Sequence, residues 1–117
     1  MGQLTTHVLD TTAGLPAEGV RIELHDRSPG RVTLVADVTT GRDGRCPAPL
    51  LSGAAFQPGR YSLTFQVAGY FRDRGLLLPE PAFIEEAVIH IGIANAAAHY
   101  HVPLLISPWS YSVYRGG

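Results

Sequence analysis

His99-Tyr-His-Val-Pro-Leu-Leu-Ile-Ser-Pro-Trp-Ser-Tyr-Ser-Val-Tyr-Arg-Gly-Gly117 is a run whose side chains alternate. His99, His101 and Pro103 fall on one face of an extended chain, and Tyr100, Val102 and Leu104 on the other. The Ser107-Pro108 pair breaks the run. A second short strand is predicted beyond it, with Trp109, Tyr111, Val113 and Arg115 on one face and Ser110, Ser112 and Tyr114 on the other. Two imidazoles thus share a strand face, and a Tyr-Arg pair follows closely. That grouping suits a polar site on a sheet surface.

The same period recurs upstream. Residues 4–9 are β-branched and alternating, and 10–16 read as a loop. Residues 20–25 alternate with Val20, Ile22 and Leu24 inward, and 32–40 form a third strand after the Ser28-Pro-Gly30 turn. Gly41-Arg-Asp-Gly44 is a turn, and 45–47 allow only a very short strand. Residues 61–67 and 87–93 alternate again. Between them, 68–77 lose the alternation and read as a short helix or turn, ended by Pro79 and Pro81. Roughly seven or eight short strands with at most one helix predict an all-β sandwich, a single domain over residues 1–117.

Composition narrows the function. Hydrophobic residues make up 45% of the chain, enough for a packed core. The formal net charge of -1 gives no electrostatic footprint for nucleic acid. All nine basic residues are arginine, so Schiff-base chemistry through lysine is excluded. Cys46 is the one cysteine, so no intramolecular disulfide forms and a reducing compartment fits. The longest apolar run, 102–106, is far too short to span a bilayer, and no signal peptide is visible. A cytoplasmic location without membrane or nucleic-acid partners is expected.

Each candidate residue has a plain reading beside a functional one. His7 lies mid-strand with Thr5 and Leu9 on its face, either as a surface histidine or as part of a site. His99 and His101 suit a shared metal ion or general acid–base work. Residues 99–117 hold no cysteine or carboxylate to complete a ligand set, so no metal is expected. His25 and His90 are expected to face solvent. Cys46, beside Arg45, is read as a packed small residue. Arg45 and Arg115 are either solvated or clamp a planar anion through their forked donors. Tyr114 is a packing residue or a hydroxyl donor. Ser107 and Ser110 lack the G-x-S-x-G setting of a serine nucleophile. The terminal strand carries few charges and is expected to pair with a second copy of the chain. Composition and spacing stop there and name no substrate.

Three segments extend the reading: Leu4-Thr-Thr-His-Val-Leu-Asp10; Asp43-Gly-Arg-Cys46 with Pro49-Leu-Leu51; and Ala98 followed by the whole terminal run. Together they resemble the transthyretin-like 5-hydroxyisourate hydrolases along nearly the full chain. That family typically ends Tyr-Arg-Gly-Ser. Here the end is Tyr114-Arg115-Gly116-Gly117, without the terminal hydroxyl. The resemblance implies a transthyretin-like two-sheet sandwich of about eight strands with one short helix. It also implies a homotetramer, a dimer of dimers whose active sites lie in a channel at the dimer–dimer interface. His7, Arg45, His101 and Tyr114 carry over as catalytic residues. His99 and Arg115 stand nearby and join His7, Arg45 and Tyr114 in substrate binding. The implied reaction opens 5-hydroxyisourate at a ring amide, with no cofactor. Two competing classes remain: a hormone carrier of the transthyretin type, which shares the fold, and an interaction module of immunoglobulin type, which leaves the His/Arg/Tyr cluster unexplained.

Overall fold

Alternation in the sequence becomes a buried face and an open face on strand β1, Gln3–Asp10, in the computed structural model, which describes residues 2–116. Leu4, Thr6, Val8 and Asp10 are buried; Gln3, Thr5, His7 and Leu9 turn outward. The remaining elements follow as β2 (Leu15–Pro16), β3 (Arg21–Asp26), β4 (Thr33–Thr39), β5 (Leu51–Ser52), β6 (Gly59–Gln66), α1 (Val67–Asp73), β7 (Glu86–Ile93), β8 (His99–Ile106) and β9 (Tyr111–Val113). The two-residue strands β2 and β5 lie where no alternation is long enough to read. A single 3₁₀ turn spans Gly53–Ala55.

The strands form two sheets. One has the order β2-β1-β8-β9 with β5 also on β1; the other runs β4-β3-β6-β7. The pairing of β1 with β8 is parallel, from Gln3 opposite His99 to Asp10 opposite Ile106. Each sheet turns one face inward. Leu4, Val8, Leu104 and Ile106 from the first sheet and Ile22, Leu24, Leu63 and Phe65 from the second are all fully buried in one core. Burying a side chain of this size contributes about 1.5–3 kcal/mol relative to leaving it in water. The expected sandwich is therefore formed.

Helix α1 buries Val67, Ala68, Tyr70 and Phe71, the i, i+3, i+4 spacing of one helix face. It stops well before Pro79 and Pro81. Gly75 ends it instead, with φ 88°. Its N–H reaches the Arg72 carbonyl and the Leu76 N–H reaches that of Phe71, which is the Schellman pattern. A buried carboxylate ties this helix to the first sheet. Asp10 accepts the Thr12 and Ala13 amides and the Tyr70 hydroxyl, the last at 2.9 Å. Burial and the Asp10 carboxylate push the Tyr70 phenol up to about 12.

The terminal strand is shorter than the alternation predicts. It pairs Leu104 with Val113 and ends there. The next position on β8 is Pro103, which has no N–H to offer. One bond survives, from the Tyr114 amide to the Pro103 carbonyl at 3.4 Å. The tail rejoins β8 at Gly116, whose amide donates to the His101 carbonyl at 2.7 Å. Gly117 lies outside the described residues. Among those described, no helix is long and apolar enough to cross a membrane.

Candidate active site

The outward faces of β1 and β8 meet at the parallel pair. Register sets Thr5 beside His101 and Gln3 beside His99. Residues separated by more than ninety positions are thus brought into hydrogen-bonding range. The Thr5 Oγ1 lies 2.8 Å from His101 Nδ1 and 3.0 Å from His99 Nε2. His99 is exposed and His101 half-buried.

A turn delivers the arginine to the same face. The Gly44 carbonyl accepts the Val8 amide at 2.9 Å, and Arg45 bridges His7. Gly44 has φ 77°, and a Cβ there would stand 2.4 Å from the Val8 carbonyl oxygen. Only glycine permits both the backbone angle and the approach. Asp43 shapes the turn: its carboxylate accepts the Arg45 amide at 3.0 Å. Its carbonyl oxygen lies 2.9 Å from His7 Nε2. A carbonyl only accepts, so His7 carries its proton at Nε2 and leaves Nδ1 free. Gly44→Ala is expected to cost about 2–5 kcal/mol of stability through backbone strain and overpacking. A urea unfolding midpoint equal to wild type would refute this account of the turn.

These elements enclose an open cavity of about 510 Å³, lined by Gln3, Thr5, Thr6, Arg45, Cys46, Pro47, Ala48, Pro49, His99 and His101. The volume suits a small organic ligand. His7 stands one pleat along β1 from Thr5, beside the turn. Burial holds the His101 imidazole below the ordinary histidine range, and the nearby Arg45, His99 and His7 charges add to this. The His101 ring should therefore titrate below 6.5. The unfolded chain takes up this proton first as pH falls. The contribution of neutral His101 to stability is present above the ordinary histidine pKa and is lost as pH falls through the folded value. NMR titration of the ring in wild type and Arg45→Gln checks both points: a midpoint below 6.5 is expected, moving upward once the guanidinium is gone. An unmoved midpoint would remove Arg45 as a cause.

Tyr114 and Arg115 occupy a different place. They border an apolar groove of about 260 Å³ with Ile89, Ile91, Tyr100, Val102 and Val113, at the open edge between the sheets. The Arg115 guanidinium stacks 4.1 Å from the centre of the Tyr100 ring. Its Nη2 also approaches the His99 carbonyl at 3.4 Å. Within one chain, then, His99, His101 and Arg45 line one cavity; His7 does not line it and adjoins it only through its bridge to Arg45, and Tyr114 and Arg115 do not line it either. Gly116 packs against His101: a Cβ there would lie 2.8 Å from the ring carbon Cδ2.

The other candidates have structural places. Burial, and then the Asp43 charge, push the Cys46 thiol up, and its side chain packs on the core. Ser107 Oγ accepts the Trp109 and Ser110 amides and so closes the β8–β9 turn. Among the described residues, no three His, Cys, Asp or Glu side chains gather as a metal-binding group. Thr5 was not singled out by the sequence reading. Parity places it on the His7 face, but only the pairing with β8 puts it between two imidazoles.

Known proteins share this architecture. The 5-hydroxyisourate hydrolase of Pseudomonas aeruginosa is 53% identical over 116 residues, covering 99% of this chain and 92% of that protein. The 5-hydroxyisourate hydrolase of Ralstonia nicotianae is 53% identical, covering 99% of each chain. Among solved structures, (S)-allantoin synthase superposes with a TM-score of 0.94 at 45% identity. The alignment covers 99% of this chain and 44% of that one. Klebsiella pneumoniae 5-hydroxyisourate hydrolase gives a TM-score of 0.82 at 34% identity over 100% of both chains. Sea bream transthyretin in complex with thyroxine gives 0.87 at 26% identity, over 97% of this chain and 94% of that one. The family model described as HIUase/Transthyretin matches residues 4–116, and the chain belongs to that family.

Proposed function

We propose that this chain hydrolyses 5-hydroxyisourate to the carboxy-ureidoimidazoline intermediate of urate degradation, as one hydrolase domain over residues 1–117. The observation that carries the reading is the convergence of Arg45, His99 and His101 on one cavity in a chain of this family. Water adds through its oxygen to the carbon of a ring amide, and its proton passes to an imidazole. The amide oxygen becomes an oxyanion, which the forked donors of Arg45 stabilise. Collapse breaks the C–N bond, and the imidazole returns the proton to the departing nitrogen. The ring opens to a carboxylate.

His101 and His7 share the handling of water, one as base and one as partner. Thr5 occupies Nδ1 of His101, which leaves Nε2 for water; Asp43 occupies Nε2 of His7, which leaves Nδ1. A neutral His101 suits a base near neutral pH. The substrate is planar and rich in carbonyl oxygens, which suits a guanidinium clamp. The scheme uses no metal or organic cofactor, and we place it in the cytoplasm.

Tyr114 enters this scheme from a neighbouring subunit of a homotetramer, a dimer of dimers, as a hydrogen-bond donor or wall for the ring, with Arg115 beside it. Support comes from the exposed edge strand β9 and the exposed Trp109, Tyr111 and Tyr114 side chains. Light scattering that returned a monomer with full activity would remove this part of the scheme.

The test follows urate consumed by urate oxidase, with the 5-hydroxyisourate absorbance recorded with and without this protein. Faster decay, lost in His101→Ala, is the expected result. Decay at the spontaneous rate from a folded protein would overturn the reading and favour a binding role.

A further inference from the structure

Thr5 touches both imidazoles, yet its hydroxyl has a single proton. It can donate to one ring nitrogen only. At least one of the two histidines must therefore carry a proton on the nitrogen that faces Thr5. The three groups form a short hydrogen-bonded chain with a direction, running between the half-buried His101 and the exposed His99. Both contacts fall in the ordinary range for hydrogen bonds.

We infer that Thr5 is a positioning residue of the reaction proposed above: its hydroxyl fixes the tautomer of His101 and relays a proton between His101 and the exposed His99. In the resting arrangement His101 Nδ1–H donates to Thr5, and the Thr5 hydroxyl donates to His99 Nε2. His101 Nε2 then has a free lone pair for water. When Nε2 takes a proton, the Nδ1 proton passes to the Thr5 oxygen while the Thr5 proton passes to His99 Nε2. His101 is neutral again, now protonated at Nε2, and the positive charge rests on a solvated ring. As the departing nitrogen takes the Nε2 proton from His101, the chain runs backward and refills Nδ1. No proton is gained or lost over the cycle beyond those of water and product. The arrangement moves charge from the half-buried His101 ring, where burial and the nearby Arg45 charge disfavour an imidazolium, to the exposed His99 ring of the same cavity.

Thr5→Val keeps the β-branched shape suited to a strand and removes the hydroxyl. Thr5→Ser keeps the hydroxyl. Thr5→Val should lower kcat by about 10–100-fold with KM little changed, by analogy with other residues that orient a working imidazole. Thr5→Ser should recover most of that loss. Nitrogen-15 NMR of the His101 ring supplies a readout independent of turnover: Nδ1 protonated in wild type and Thr5→Ser, a mixture of tautomers in Thr5→Val. Wild-type kcat in Thr5→Val, or a Thr5→Ser variant as impaired as Thr5→Val, would overturn the proposal. So would an unchanged His101 tautomer in a folded Thr5→Val protein. Should wild type leave 5-hydroxyisourate untouched, the proposed substrate falls, and the tautomer comparison still decides whether Thr5 orients His101.

Discussion

Replacing His101 with alanine is expected to lower kcat by about 10²–10⁴-fold, the usual contribution of a positioned acid–base group. Three features make His101 the sensitive position. Its Nδ1 is held by Thr5, so the ring has one orientation. It is the more buried histidine of the pair that lines the cavity. Its environment keeps it neutral, ready to accept a proton. The loss should appear in kcat more than in KM, because proton transfer belongs to the transition state. His7→Ala should lower kcat in the same range and also loosen the turn, since the ring anchors the Asp43 carbonyl. Near-wild-type turnover in both variants, measured by 5-hydroxyisourate decay, would remove the acid–base assignment.

Arg45→Gln should lower kcat by about 10²–10³-fold through loss of oxyanion stabilisation. KM should rise too, because the proposed scheme also has the guanidinium clamp the substrate. Glutamine keeps some length and polarity but supplies no charge. Arg45→Lys restores charge without the planar fork and should recover only part of the loss. Full recovery by lysine would mean that charge alone is needed and that two-point contact is not. The turn itself rests on backbone bonds from Gly41, Gly44 and Val8, so both variants should fold as wild type does. Equal Tm values check this, and a large fall would place Arg45 in the structure and not only in the chemistry.

The strand faces were legible because each sheet is buried on one side only. Leu4 and Val8 against Thr5 and His7, and Val102 and Leu104 against His101, follow from alternation alone. What alternation cannot carry is which strand lies beside which. The parallel pairing of β1 with β8 is a tertiary fact, and it turns Thr5 from a neighbour of His7 on its strand face into the link between two histidines. The same limit explains the terminal strand. Its alternation runs on to Arg115, yet pairing lapses at Tyr114 because the neighbour opposite is Pro103. The helix stop was misplaced for a local reason: Gly75 closes α1 through its positive φ before the prolines are reached. The resemblance brought Tyr114 into the site by motif. On a single chain it borders the groove between the sheets and not the cavity of His99 and His101.

Because β1 and β8 lie far apart in sequence, the face that carries Thr5, His7, His99 and His101 is assembled only after β8 has been made. A chain still emerging from the ribosome carries Gln3–Asp10 with no strand at its side until His99–Ile106 has been made. Thr5 and His7 are translated early and wait. Until then β1 has only its short antiparallel neighbours β2 and β5, and one long flank remains unpaired. Loop closure over the long stretch between β1 and β8 makes this pairing one of the slower contacts to form. A product cut short before β8 would hold all four strands of the second sheet but neither His99 nor His101. The link that Thr5 makes between the two histidines therefore exists only once β1 and β8 have paired.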